Sequence, residues 1–310
     1  MGCRRGGICY LRGGWGVALS HKHPAAARAY ERAGEGRSLQ WRRGLKTKTF
    51  LSVTFACVLV TLAAAAFATD IIPCAVGNKW EYDCYKVFKG DVRFQGKSVG
   101  SNNDASFGTS VYEVLAVDNK SAQPVYDYRE TTQTKSSTGG GDSTETLDLK
   151  LINDNEGQKV IWTSQEATGD DKPDKQTYDP PIFYYKHNCA PGQQWNVGVM
   201  RDTDTRIPLI AKVVGKETIT VPAGTFKDCL KVAYTSDDIS GTVDMWEKQF
   251  TITSGKSRGI YWVADGVGVV KELEVSTSVA ETKGPDGTPV SVSTATCVVS
   301  ELRPGYIIKK

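Results

Sequence analysis

Apolar and polar residues alternate with a period of two along most of the chain after Lys79, and this pattern limits the fold more than any other feature. Residues 80–84 read WEYDC, and residues 147–151 read LDLKL. Such alternation predicts β-strands with one buried face and one wet face. After Asp70, no window of helical length carries an apolar stripe at helical spacing, so we expect little helix.

Further runs rich in β-branched and aromatic residues predict additional strands. They lie at 110–117, 125–134, 159–164, 209–214, 230–235, 242–253, 268–276 and 290–302. Clusters of Gly, Asn and Asp between them predict hairpins and meanders. Because twisted open sheets of about ten strands rarely stay flat, we expect an all-β fold with a large curved antiparallel sheet, either a half-barrel or barrel-like, with a sandwich as the alternative. The polar, proline-containing segment 168–181 is expected to be a surface loop within one domain.

Residues 46–68, KTKTFLSVTFACVLVTLAAAAFA, have the pattern of a secretory signal peptide ending at Ala68. The apolar run is at or below the lower limit for a spanning helix, although an uncleaved membrane anchor is the alternative. We therefore predict an exported chain, periplasmic or extracellular, in which residues 69–310 form a single β domain. The arginine-rich residues 1–45 show no periodic pattern and are interpreted as a non-structural leader, upstream of a true start near Leu45.

The charge of the chain is divided unevenly between the leader and the predicted domain. Residues 1–68 contain 11 Lys and Arg but only 2 Asp and Glu, which leaves 27 basic and 33 acidic residues in 69–310. The predicted domain is therefore acidic, with a formal net charge of −6. Because nucleic-acid binding requires clustered positive charge, we expect no nucleic-acid partner.

Five cysteines follow the signal peptide, and an oxidising compartment would allow one or two disulfides among them. They are Cys74, Cys84, Cys189, Cys229 and Cys297. The alternative is that several are small buried hydrophobic residues. None has the spacing of metal ligands, so we expect no metal site and no cofactor.

The predicted domain offers little chemistry for catalysis. It has one histidine, His187, and no serine framed as a nucleophile elbow. Its tryptophans are more informative, because aromatic residues on a curved sheet either fill the core or line a pocket for an apolar ligand. Trp80 and Tyr82 share one strand face, and Trp246 shares another with Phe250. The candidate ligand-binding residues are Trp80, Tyr82, Trp162 and Trp246.

Three segments resemble motifs of exported bacterial β proteins. Residues 76–82 (VGNKWEY) are similar to a G-N-x-W-x-Y opening, residues 221–226 (VPAGTF) to a hairpin motif, and residues 262–271 (WVADGVGVVK) to a strand entry. These proteins resemble the LolA/LolB-like lipoprotein-carrier superfamily, which implies a strongly curved antiparallel sheet with an apolar concave side. Within the motifs, a structural role in turns and strand entry is expected for Gly224, Phe226, Gly266 and Gly268.

Our principal hypothesis is an exported, non-enzymatic protein that binds an apolar or amphipathic ligand, such as a lipid or an acylated peptide, in the concavity of the sheet, with transient membrane proximity. The first alternative is a structural or protein-interaction module of the cell envelope with a filled core, whose partner is an envelope protein. The second is a carbohydrate-binding or hydrolytic protein that uses tryptophans and a carboxylate pair such as Glu272 and Glu274.

Overall fold

A computed structural model describes residues 73–309, except 121–122, 139–141, 169–172, 203, 247 and 285. The predicted leader, signal peptide and cleavage site therefore lie outside the described residues. Within them the chain forms 13 strands and no helix, which confirms the all-β prediction. The strands are β1 (Lys79–Phe94), β2 (Lys97–Asp118), β3 (Val125–Ser136), β4 (Asp142–Asn153), β5 (Gly157–Ala167), β6 (Asp174–Lys186), β7 (Gln194–Asp202), β8 (Thr205–Val221), β9 (Gly224–Ser236), β10 (Ser240–Met245), β11 (Lys248–Ala264), β12 (Gly268–Lys283) and β13 (Pro289–Leu302).

All of these strands belong to one antiparallel sheet. Its order is β10-β8-β9-β11-β12-β13-β1-β2-β3-β4-β5-β6, with β7 paired to β8 and a further pairing of β10 with β11. The long pairing of β13 with β1, from Tyr82–Leu302 to Phe94–Val290, joins the last strand of the chain to the first. The first and last described strands are therefore brought together in the middle of the sheet.

The sheet curls until its two outlying strands, β6 and β7, touch. The Trp195 indole N–H of β7 donates to the carbonyl oxygen of Phe183 in β6 at 3.2 Å. The Tyr178 hydroxyl of β6 donates to the carbonyl oxygen of Arg201 in β7 at 3.4 Å. The large curved sheet predicted from the sequence is thus confirmed, and side-chain contacts join its edges.

The inner face of the sheet, whose side chains point into the curl, carries the hydrophobic core. Four aromatic rings form a chain of edge-to-face contacts across it, with centroid distances of 5.2 to 6.3 Å. The rings are those of Tyr185, Trp195, Tyr234 and Tyr261. Such contacts stabilise a core beyond the burial of area alone.

Two expectations from the sequence are wrong. The segment 168–181 is not a loop throughout, because β6 begins at Asp174 and includes Pro180 and Pro181. None of the five cysteines among the described residues forms a disulfide, so the one or two expected bridges are absent there. Cys84 and Cys297 lie on opposite faces of paired strands, and Cys189 instead donates its thiol hydrogen to the carbonyl oxygen of Lys186 at 2.7 Å.

Among the described residues, no helix has the length and apolar character needed to cross a membrane.

Candidate functional site

Trp80 and Tyr82, the first two predicted ligand-binding residues, lie in the filled core. They are 2% and 3% exposed. The Trp80 indole N–H donates to the carbonyl oxygen of Val267 at 2.6 Å, and the Tyr82 hydroxyl donates to that of Val269 at 2.8 Å. The two bonds join β1 across the interior to Val267, just before β12, and to Val269 in β12, so both side chains stabilise the packing of these segments.

The other two predicted residues lie elsewhere. Trp162 is half-buried on β5, where the Lys150 ammonium approaches its ring centroid to 6.0 Å. Trp246 is 42% exposed in the turn between β10 and β11 and meets the Phe250 ring edge to face at 5.8 Å. The structure therefore brings Trp80 and Tyr82 together but does not gather all four residues into one pocket.

The residues expected to shape turns occupy two hairpins. Gly224 has φ +133° where the two-residue turn between β8 and β9 ends, and Phe226 is half-buried against the core. Gly266 and Gly268 have φ of +67° and +103° in and after the turn between β11 and β12. These φ values lie in the region that favours glycine.

The inner face changes from apolar to polar along β12 and its neighbours. In β12 the buried Val270 is followed at every second position by Glu272, Glu274, Ser276 and Ser278, and all four are at most 6% exposed. The intervening Leu273 and Val275 face outward, so the usual polarity of a half-buried strand is reversed here. We call the buried polar side chains at this level the polar belt: Ser110, Glu130, Ser257, Tyr261, Glu272, Glu274 and Ser276.

Tyr261 joins two carboxyl groups of the polar belt. Its hydroxyl oxygen lies 3.2 Å from Glu272 Oε1 and 3.2 Å from Glu274 Oε2. A phenol has one proton and can donate to only one carboxylate. The second contact becomes a hydrogen bond when that glutamate is protonated and donates to the phenol oxygen. The Ser257 hydroxyl also donates to Glu274 Oε1 at 3.0 Å.

Burial controls the protonation of these groups. It raises the pKa of Glu272 well above its ordinary value, and the neighbouring charges of Glu274 and Glu130 raise it further, while hydrogen bonds with Tyr261 and Ser300 act in the opposite direction. Burial also raises the pKa of Glu130 to about 7, although its hydrogen bonds with Ser110, Tyr112 and Thr132 act in the opposite direction. Burial and these like charges favour the protonated form of Glu272, which can donate a hydrogen bond to Tyr261.

Several atoms at this level have no hydrogen-bond partner within the described part of the chain. They are Glu130 Oε2, Glu272 Oε2, Ser276 Oγ and, on β9, Ser236 Oγ. An unpaired buried polar atom costs about 1–3 kcal/mol, so a cluster of them calls for a physical explanation.

The inner face is accessible beside the polar belt. Lys86 and Phe88 follow Tyr82 and Cys84 at alternate positions of β1 and therefore share their face, yet both are half-buried. Val298, the direct partner of Lys86 on β13, is also half-buried. Lys86 makes no ion pair with any residue that the structure describes. This part of the concavity thus combines a cation, two apolar side chains and the buried carboxyl groups.

Other candidate sites are weaker. An open depression of about 550 Å³ lies against β7, β8 and β9, but none of the predicted site residues lines it. The His187 imidazole Nε2 lies 2.9 Å from Asn153 Oδ1 at the end of β6. No group of three or more His, Cys, Asp or Glu side chains among the described residues is arranged to hold a metal ion.

One family model matches part of the chain. The model of the DUF3108-like family matches residues 205–275, which extend from β8 into β12. This range includes the segments 221–226 and 262–271, whereas residues 76–82 lie outside it. The search of curated proteins found no match to the chain.

Two solved structures are similar over most of their length. A candidate lipoprotein from Parabacteroides distasonis is 17% identical, covers 75% of this chain and 97% of its own, and gives a TM-score of 0.30. A candidate exported protein with a YmcC-like fold from Bacteroides fragilis is 14% identical, covers 77% of this chain and 98% of its own, and gives a TM-score of 0.29.

Sequence patterns did not single out most of the polar belt. The sequence indicates Glu272 and Glu274 as a carboxylate pair, but it does not indicate Glu130 and Tyr261 of the polar belt, or Lys86 beside the belt. The sequence does contain a signal for the belt residues of β12. Polar side chains occupy every second position after the apolar Val270, and the period of a strand places these positions on one face.

Proposed function

We propose that this protein is an exported, non-enzymatic binding protein that holds an amphipathic ligand, such as a lipid or an acylated peptide, in the concavity of its sheet. The observation that carries the proposal is the set of buried polar atoms without a protein partner, Glu130 Oε2, Glu272 Oε2 and Ser276 Oγ, beside an accessible part of the inner face. Export rests on the signal-peptide pattern of residues 46–68.

The chemistry of the concavity favours a ligand with one polar and one apolar part. Lys86 can pair with an anionic head group. The protonated form of Glu272 can donate a hydrogen bond to that head group from Oε2, in place of its bond to Tyr261. Phe88 and Val298 offer apolar surface on the same face. Each methylene buried against such a surface contributes about 0.8 kcal/mol, which allows micromolar binding after the cost of association.

We assign no catalytic step to the glutamates of the polar belt. Glu272 and Glu274 are 1% exposed and share the Tyr261 hydroxyl between them. A glycosidase needs its two carboxyl groups on either side of a substrate bond, with room for the sugar. Carboxyl groups held by one phenol are better suited to orienting the polar end of a bound molecule.

The proposal is tested by titrating oleate and its uncharged methyl ester, below their aggregation concentrations, and following tryptophan fluorescence. We expect micromolar binding of oleate and weaker binding of the ester, because the ester cannot pair with Lys86. Lys86→Gln should reduce the preference for oleate, and Phe88→Ala should weaken both ligands. Lys227→Gln and Val214→Ala, on exposed side chains away from the concavity, serve as controls.

A second candidate is a structural or protein-interaction module of the envelope. It is favoured by the filled apolar interior, in which Trp195, Tyr234 and Tyr261 contact one another edge to face. A flat titration to about 100 μM, which corresponds to a binding free energy near −5.5 kcal/mol, in well-folded protein would reject the ligand proposal in favour of this module.

A further inference from the structure

The outer face of the sheet carries a continuous apolar surface behind the polar belt. Cross-strand pairing places Phe107, Tyr85, Val299, Leu273 and Ile260 in one row over five strands. A second row pairs Val87 with Cys297 and Cys297 with Val275. We call this surface the outer band: Phe107, Tyr85, Val299, Leu273, Ile260, Val87, Cys297 and Val275.

Three members of the outer band are exposed to solvent. Phe107 is 57% exposed, Tyr85 is 49% exposed and Val275 is 42% exposed, while the other members are half-buried by their neighbours. Phe107 and Tyr85 are direct cross-strand partners on β2 and β1, so the two aromatic rings project from neighbouring positions. Exposed apolar side chains that adjoin one another, beside charged residues at the edge of the surface, favour contact with another apolar phase or molecule.

The charges at the two edges of the outer band differ. On one edge, the acids Asp83 and Glu301 lie in ion pairs with Arg303 and Lys271. On the other edge, Lys89 pairs with Ala295, Ala295 pairs with Thr277, and Thr277 pairs with Lys256. The two lysines in this row are exposed. Neither lysine makes an ion pair within the described ranges, and Lys256 lies near enough to Asp237 to lower the pKa of that carboxyl. The outer band therefore has one neutralised edge and one cationic edge.

The dimensions of the outer band argue against a stable dimer. Five strands about 4.8 Å apart span about 19 Å, and two rows on one face lie about 7 Å apart. The surface is therefore a few hundred Å², whereas a stable protein interface needs about 800 Å² from each partner. A small apolar surface with a cationic edge instead suits shallow contact with the headgroup boundary of a bilayer, which peripheral proteins enter by about 5–10 Å, well short of the roughly 30 Å hydrocarbon core.

We propose that the outer band docks reversibly on the surface of an anionic lipid bilayer. Phe107 and Tyr85 enter the headgroup region, and Lys89 and Lys256 lie over anionic phosphates at its edge. The reversed polarity of β12 supports this assignment, because its outward-facing apolar side chains, Leu273 and Val275, gain from an apolar environment there. This docking site is on the opposite face of the sheet from the proposed ligand site and does not depend on it.

Co-sedimentation with vesicles tests the proposal. We expect the protein to bind vesicles of mixed phosphatidylcholine and phosphatidylglycerol, to bind pure phosphatidylcholine more weakly, and to be released by salt. Phe107→Ser combined with Tyr85→Ser should reduce binding to both compositions. Lys89→Gln and Lys256→Gln should each reduce binding to the anionic vesicles alone, by about fivefold per lysine near such a surface.

Two controls and a second measurement make the test decisive. Val214→Ser removes an apolar side chain that is 53% exposed outside the outer band, and Lys227→Gln removes an exposed lysine of β9. Both controls should bind as the unaltered protein does. Equal binding by the Phe107 and Tyr85 variant would overturn the proposal. Analytical ultracentrifugation that shows a dimer, dissociated by the same variant, without vesicle binding would overturn it in favour of a second copy.

Discussion

Replacing Glu130 with glutamine should change how the stability of this protein depends on pH. Glu130 is 3% exposed, and its Oε1 atom accepts hydrogen bonds from Ser110 at 2.6 Å and from Thr132 at 3.0 Å. Glutamine has the same shape and keeps an oxygen that can accept these bonds, but it cannot ionise. The substitution therefore removes the titration of one buried group and retains most of its packing.

The magnitude follows from the pKa of Glu130. Because burial raises this pKa from its ordinary value of 4.5 to about 7, the folded protein keeps the proton over a range where the unfolded chain loses it. The stabilisation is fully present below 4.5 and is lost as the pH rises through about 7. The difference between these two pKa values corresponds to about 3 kcal/mol of folding stability. The unaltered protein loses this stability as the pH rises, whereas the Glu130→Gln variant should not.

Urea denaturation followed by tryptophan fluorescence, repeated from acidic to mildly alkaline pH, measures this effect. We expect the free energy of unfolding of Glu130→Gln, relative to the unaltered protein, to rise by about 3 kcal/mol across that range. Any unpaired amide hydrogen in the variant adds a cost that does not depend on pH. Glu281→Gln, on an exposed side chain of β12, should follow the unaltered protein. Parallel curves for Glu130→Gln and the unaltered protein would refute the burial of an ionisable Glu130.

Three further predictions use the same denaturation assay or a simple chemical one. Phe226→Ala should lower the free energy of unfolding by about 1–2 kcal/mol, because Phe226 is only half-buried. This is less than the loss expected for a fully buried phenylalanine, and a loss above about 3 kcal/mol would show that Phe226 is part of the closed core. Gly108→Ala should destabilise by at least about 1–3 kcal/mol, since its Cβ would overlap the backbone of Gln133, whereas Gly100→Ala on the same strand meets open space. Thiol titration of the unfolded domain without reductant should detect all five cysteines, and a lower count would reveal a disulfide.

The strand content of this protein follows directly from its sequence. A period of two in hydrophobicity cannot place its apolar residues on one face of a helix, so the runs around Trp80 and Leu147 had to form strands. The number of predicted strands also required strong curvature, since a flat sheet of that size is unfavourable. The segment after Thr168 was misjudged because its polar residues and prolines are typical of loops, yet Pro180 and Pro181 lie on a strand that pairs only on one side.

Which face of each strand lies inside was decided only by the tertiary structure. Alternation defines two faces, and Leu273 and Val275 would ordinarily be placed inward. Pairing instead places Glu272 opposite the buried Tyr261 and Ser300, and from Lys271 onward the pairing with β13 continues without a shift, so Glu272 and Glu274 lie on the inner face. The polar belt and the outer band are two consequences of that one constraint, which depends on closure of the sheet and is absent from any local pattern.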